Sequence, residues 1–165
     1  NLFIDNVYLY KTVSTPTVSA PIPAYPAGDV ISIFSDSYTN VNGTNLSPSW
    51  GQATVVSQPK INGNTTLLYT GLNYQGIQFG SNQNVSSYGF LHLDYFSSNS
   101  SSLEVFLISP GPVETSYSLQ VPTGSGWKSI DIPLSAFSPV ALNTVFQLKF
   151  VGNGTIYLDN ILFRK

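Results

Sequence analysis

The chain has no cysteine, which removes disulfide frameworks and thiolate metal sites from consideration. Charge is almost as scarce. Only 8 % of the 165 residues are Asp, Glu, Lys or Arg, against roughly 25 % in an ordinary soluble domain. The six Lys and Arg are scattered and the net charge is −2. That gives nucleic acid no electrostatic footprint to hold. No apolar run approaches the roughly 18 residues of a membrane span, and no signal peptide is present. Histidine occurs once, at His92. Without an initiator Met the sequence reads as a piece of something larger.

What is present is apolar, aromatic and uncharged polar. Hydrophobic residues make up 42 % and aromatic residues 13 %, with ten Tyr, ten Phe and two Trp. At this length the chain can bury one sizeable core. Its polar surface must come from Ser, Thr, Asn, Gln and Gly. Such a surface suits an extracellular setting and partners without charge, though composition by itself does not fix the compartment.

A repeat organises the chain. Leu2-Phe3-Ile4-Asp5-Asn6-Val7-Tyr8-Leu9-Tyr10-Lys11 aligns without a gap on Ile156-Tyr157-Leu158-Asp159-Asn160-Ile161-Leu162-Phe163-Arg164-Lys165. Residues 1–11 then form the terminal strand of an upstream unit. Residues 12–28, with four prolines, form a semi-rigid linker, and residues 29–165 form the module. Within it, short apolar runs alternate with turn signals, predicting strands at 30–34, 53–57, 66–69, 76–79, 88–96, 103–109, 117–121, 128–133, 144–151 and 155–163. Residues 135–137 suit a single turn. The fold class is all-β, a two-sheet antiparallel β-sandwich.

Three segments carry a resemblance: Ile33-Phe34-Ser35-Asp36-Ser37-Tyr38, Trp127-Lys128-Ser129-Ile130-Asp131-Ile132-Pro133-Leu134-Ser135-Ala136-Phe137, and Tyr157-Leu158-Asp159-Asn160-Ile161. Together they resemble the β-jelly-roll carbohydrate-binding modules of secreted glycanases and surface glycan-binding proteins of Bacteroidetes-type bacteria. The resemblance implies non-catalytic binding of a neutral polysaccharide, with a β-glucan foremost, that targets a linked enzyme or cell surface. It also implies a structural calcium ion where the first and last strands meet, at Asp36 and Asp159. Calcium takes six to eight oxygen ligands, and two carboxylates brought together call for a cation or compensating hydrogen bonds.

Catalysis lacks its equipment. A glycosidase needs two carboxyls facing each other across the scissile bond, and the acids here are dispersed. His92 and Asp94 share a strand face, but no Gly-x-Ser-x-Gly elbow accompanies them. Sugar binding needs flat rings for pyranose faces, with amides and hydroxyls for the sugar hydroxyls. Trp50 and Tyr74, both in turn-rich stretches, are the expected stacking residues, and Gln52, Asn73 and Gln75 the expected hydroxyl partners. Packing in the sandwich is the competing role for each ring. Tyr38 and Tyr69 are further candidates, while Trp127 fits a structural role. The alternative function is a structural assembly repeat, in which residues 2–10 join neighbouring modules by strand exchange.

Overall fold

The computed structural model describes residues 14–121 and 126–165; the expectations for residues 1–11 lie outside them. Twelve strands follow in order: β1 (Val30–Phe34), β2 (Val55–Ser57), β3 (Lys60–Ile61), β4 (Asn64–Thr65), β5 (Leu67–Thr70), β6 (Tyr74–Gln83), β7 (Phe90–Phe96), β8 (Leu103–Ser109), β9 (Val113–Ser118), β10 (Lys128–Pro133), β11 (Val145–Gly152) and β12 (Ile156–Arg164). They form a jelly-roll β-sandwich. The back sheet runs β10-β7-β12-β5-β2, with β1 also paired to β12, and the front sheet runs β6-β11-β8-β9. The pairings between these strands are antiparallel. A single 3₁₀ turn at Leu134–Phe137 stands where residues 135–137 predicted one.

Period-2 alternation places the core. Ile77 and Phe79 of β6, Leu107 of β8, Leu148 and Phe150 of β11, and Leu158 and Phe163 of β12 all point between the sheets. Two aromatic pairs bridge the layers edge-on, Tyr69–Phe150 with centroids 6.0 Å apart and Phe79–Phe163 at 6.2 Å. Tyr69 is therefore a core residue, which removes it from the sugar-binding candidates. Burial also pushes its phenol pKa up.

The Asp-Asn pair of the closing strand has a specific job. Between Asp159↔Asp94 and Leu162↔His92 the β12 side holds one more residue than β7, a β-bulge. Asn160 takes a φ of 47° there, a left-handed conformation that asparagine tolerates better than most residues. The bulge turns its buried side chain into a junction. Its amide nitrogen donates to Asp94 Oδ2 at 2.7 Å and to the Pro21 carbonyl at 2.8 Å, while its oxygen accepts from Ser35 Oγ at 2.7 Å.

The expected linker is not a free spacer. From residue 14 it lies extended across the outside of the back sheet as a strap. Ser14 N donates to Ser98 Oγ at 2.9 Å, the Trp127 indole to the Val18 carbonyl at 2.9 Å, and Asn62 Nδ2 to the Thr17 carbonyl at 3.1 Å. Beneath its first half lie Phe96, Tyr157 and Trp127, packed ring on ring. In its second half, Tyr25 sits edge-on to His92 at 5.6 Å and under the Arg164 guanidinium at 4.9 Å. Proline favours the extended backbone of the strap; composition could not signal partners more than a hundred residues away.

Candidate functional site

The outer face of the front sheet is a grid fixed by strand register. One row holds Tyr74, Val151, Glu104 and Ser118; the next Gly76, Lys149, Phe106 and Ser116; the third Gln78, Gln147, Ile108 and Glu114. Side chains of paired residues share a face, so these twelve positions lie on the outer side of the sheet, with Ile108 and Gly76 covered there, while their neighbours fill the core.

Trp50 lies on this grid. A Cβ built on Gly76 would stand 2.0 Å from Cζ3, 2.3 Å from Cη2 and 2.4 Å from Cε3 of the indole. Three consecutive ring atoms at nearly equal distance place the face of the ring, not its edge, over Gly76. The ring lies flat on bare backbone and is half-buried. Any side chain at Gly76 would lift it away. Gly80, further along β6, also admits a close approach, for a Cβ there would stand 1.9 Å from the Asn42 carbonyl. Both glycines let the 39–52 loop settle onto β6, and Asn45 bridges to Gln78 there through two backbone hydrogen bonds of 2.8 and 2.9 Å.

The other expected ligand residues turn out to hold that loop. Gln52 Oε1 accepts from Trp50 N at 2.7 Å, and its Nε2 donates to the Pro48 carbonyl at 2.7 Å and to Gln75 Oε1 at 3.1 Å. Asn73 Oδ1 accepts from Ala53 N and Thr54 Oγ1, both at 3.0 Å. Tyr74, half-buried, donates its hydroxyl to the Trp50 carbonyl at 2.8 Å. Gln75 is fully buried and points inward, so its assignment as a hydroxyl partner is corrected: its neighbours Tyr74 and Gly76 hold the outward positions. The five residues do converge in space, with Trp50 as the displayed group and the rest as its mount. Tyr38 is likewise committed, donating to the Tyr25 carbonyl at 2.9 Å beneath the strap.

Residues that sequence reasoning passed over complete the face. Gln78 and Gln147 meet amide to amide. Phe106 lies under the Lys149 ammonium, 4.1 Å from ring centroid to Nζ, and Lys149 is paired to Glu114. Glu104 accepts from the Ser116 and Ser118 hydroxyls at 3.3 and 3.4 Å. Their signal was the strand alternation itself, since every second residue of 103–109 and 144–151 had to face outward.

The back-sheet carboxylates belong elsewhere. Asp131 binds Arg164 through both oxygens, at 2.8 and 2.6 Å, and His92 Nδ1 at 2.9 Å. The Arg164 hydrogen bonds hold its pKa below the usual carboxylate range. Asp94, sealed beside Asn160 and Ser129, has its pKa pushed up by burial. His92 and Asp94 are thus strand neighbours in a packing network under the strap.

Asp36 and Asp159 both reach the β3–β4 hairpin. Thr65 N donates to Asp36 Oδ2 at 2.7 Å, and the adjacent Asn64 amide contacts Asp159 Oδ2. Burial raises the Asp159 pKa to about 6, with the charges of Asp94 and Asp36 adding to the effect. A hard cation fits this donor set, because it would offset charges that burial leaves costly. Among the described residues no three His, Cys, Asp or Glu groups cluster as a metal site.

A scan against protein-family profiles gives no match, and neither does a search of curated proteins. Solved structures do match. A family 11 carbohydrate-binding module from Clostridium thermocellum, in complex with a β-1,3-1,4-mixed-linked tetrasaccharide, superposes with a TM-score of 0.59 at 18 % identity, covering 82 % of this chain and 95 % of that one. A family 30 module of a Clostridium thermocellum cellulosomal cellulase gives 0.54 at 18 %, covering 81 % and 95 %. A family 28 module described as specific for non-crystalline cellulose gives 0.56 at 13 %, covering 84 % and 97 %. The organism named for the first two is a Clostridium, not a member of the Bacteroidetes. The chain has the β-sandwich fold shared by these carbohydrate-binding modules.

Proposed function

We propose that the chain is a non-catalytic module that binds a neutral polysaccharide, a β-glucan, on the outer face of its front sheet. The observation that carries this reading is the half-buried Trp50 indole laid flat on Gly76. Pyranose rings stack on such a surface, and the surrounding Gln78, Gln147, Ser116 and Ser118 supply the amide and hydroxyl chemistry that sugar hydroxyls need. The fold likeness supports it, since modules of that fold are described with a mixed-linkage oligosaccharide and with cellulose. The same reading makes the protein extracellular and bacterial, delivering linked domains to their substrate, with tandem copies gaining by avidity.

Calcium belongs to this proposal as a structural ion. Asp36 and Asp159 would hold it beside the β3–β4 hairpin, where it would neutralise buried charge and tie the end of β1 to β12.

Affinity electrophoresis in gels containing mixed-linkage β-glucan tests the binding. Wild-type chain should be retarded and Trp50→Ala should migrate as in a blank gel. Equal retardation of the two would remove Trp50 from the site and the reading with it.

A further inference from the structure

We propose that Glu114 sets the charge class of the glycan, by occupying the cation of the front face so that the platform takes uncharged sugars. This inference rests on the sugar-binding reading above. Among the twelve outward grid positions Lys149 is the single cation, and it stands at the centre of the face, beside Gly76 and hence beside the Trp50 ring. Left free, an ammonium there would meet any carboxylate or sulfate carried by a sugar stacked on Trp50. It is not free. Glu114 takes it with both oxygens, at 2.8 and 2.7 Å, and holds it over the Phe106 ring.

Stability is a poor reason for this pair. The Glu114 side chain is 41 % exposed, and ion pairs so open to water contribute little. The balance of charge on the face points to selection instead. Glu104 is the other acid of the grid, and it is held by hydroxyls rather than by a cation. One Lys and two Glu leave the face with a net charge of −1 (1 − 2). A polyanion is repelled there, whereas a neutral chain can offer its hydroxyls to the carboxylates. Phe106, meanwhile, is capped by the ammonium.

The test compares wild-type chain, Glu114→Gln and the double variant Glu114→Gln/Lys149→Gln on mixed-linkage β-glucan, galactomannan and polygalacturonate. Wild type should bind a neutral polymer and ignore polygalacturonate. Glu114→Gln should shift the ratio of polygalacturonate to neutral binding by at least about tenfold, and about 0.5 M salt should abolish the gain by screening. The double variant should lose it. Glu114→Ser repeats the test if Gln disturbs β9, with circular dichroism confirming the fold. Wild-type binding of polygalacturonate overturns the inference, and so does a folded Glu114 variant with no gain. Wild type that binds neither neutral polymer brings down the sugar-binding reading itself; binding with an unchanged ratio brings down the charge filter alone.

Discussion

The two outer faces of this sandwich are built by the same alternation and end up as opposites. The back face carries Phe96, Tyr157, Leu162 and a knot of ionised groups, and the chain covers it with its own strap. The front face carries one flat indole, a pair of glutamines and a neutralised lysine, and no segment of the described chain crosses it beyond the 39–52 loop that mounts Trp50. A β-sandwich must close two outer surfaces or leave them wet. Here the back-face apolar and ionised groups lie beneath the strap, while the front-face charges are held by one another or by hydroxyls and leave Trp50, Gln78 and Gln147 for water, or a sugar, to reach.

Breaking that contrast on the back face should have the largest effect. A chain beginning at Asp29 leaves Phe96, Tyr157 and Leu162 without their cover. It should unfold at least about 10 °C lower, or without a cooperative transition, in a calorimetric scan. Asn160→Ala removes three buried hydrogen bonds and the residue suited to the left-handed bulge. It should cost about 3 kcal/mol in urea unfolding, and Asn160→Gly, which restores the conformation alone, should recover only a fraction of that.

The front face should respond in binding rather than in stability. Trp50→Ala should weaken β-glucan binding by about a hundredfold while the melting temperature moves by only a few degrees. Gly76→Ala is the sharper probe. It leaves the indole in the sequence but places a methyl where the ring now rests. Binding should fall about tenfold, because a contact group displaced by an ångström or so loses much of its effect. Calorimetric titration reads both.

The smallest effect is a pH dependence. The folded chain holds the Asp159 proton up to about pH 6, against an ordinary value of 3.8. This residue therefore favours folding most below that ordinary value, and its contribution is lost as pH rises through about 6. Asp131, with its lowered pKa, has the opposite sign: its contribution is present at neutral pH and is lost on acidification. In calcium-free buffer Asp159→Asn should raise the melting temperature above pH 6 and change it little near pH 4. Added calcium should stabilise wild type and not the variant; equal response of the two would remove the metal from this edge.

Much of this was legible beforehand, for reasons that particular residues make plain. The strands at 103–109 and 128–133 coincide with β8 and β10, and 144–151 falls within a residue of β11, because each alternates cleanly and is bounded by turn residues. β9 was expected at 117–121 and stands at Val113–Ser118. As an edge strand it buries little, so Glu114, Thr115 and Ser116 gave no apolar signal. The β3–β4 hairpin was not among the expected strands; its turn, Asn62-Gly63, has left-handed φ angles of 50° and 87° that fit a tight reversal. In the site, Trp50 stood out because a loop is an awkward place to bury an indole. Gly76 did not, because nothing in sequence distinguishes a glycine that seats a ring from one that weakens a strand.

The strap also decides how far apart the two ends of the described backbone stand. Without it, entry and exit would be neighbours, for Lys165 N donates to the Asp29 carbonyl at 3.1 Å. By running back along the sheet to Ser98, past the far end of β7, the strap moves the entry point to the opposite pole, about 20 Å away for seven strand residues. Ser14 and Lys165 therefore stand at opposite poles of the sandwich, and the strap, not the strands themselves, sets the distance between them.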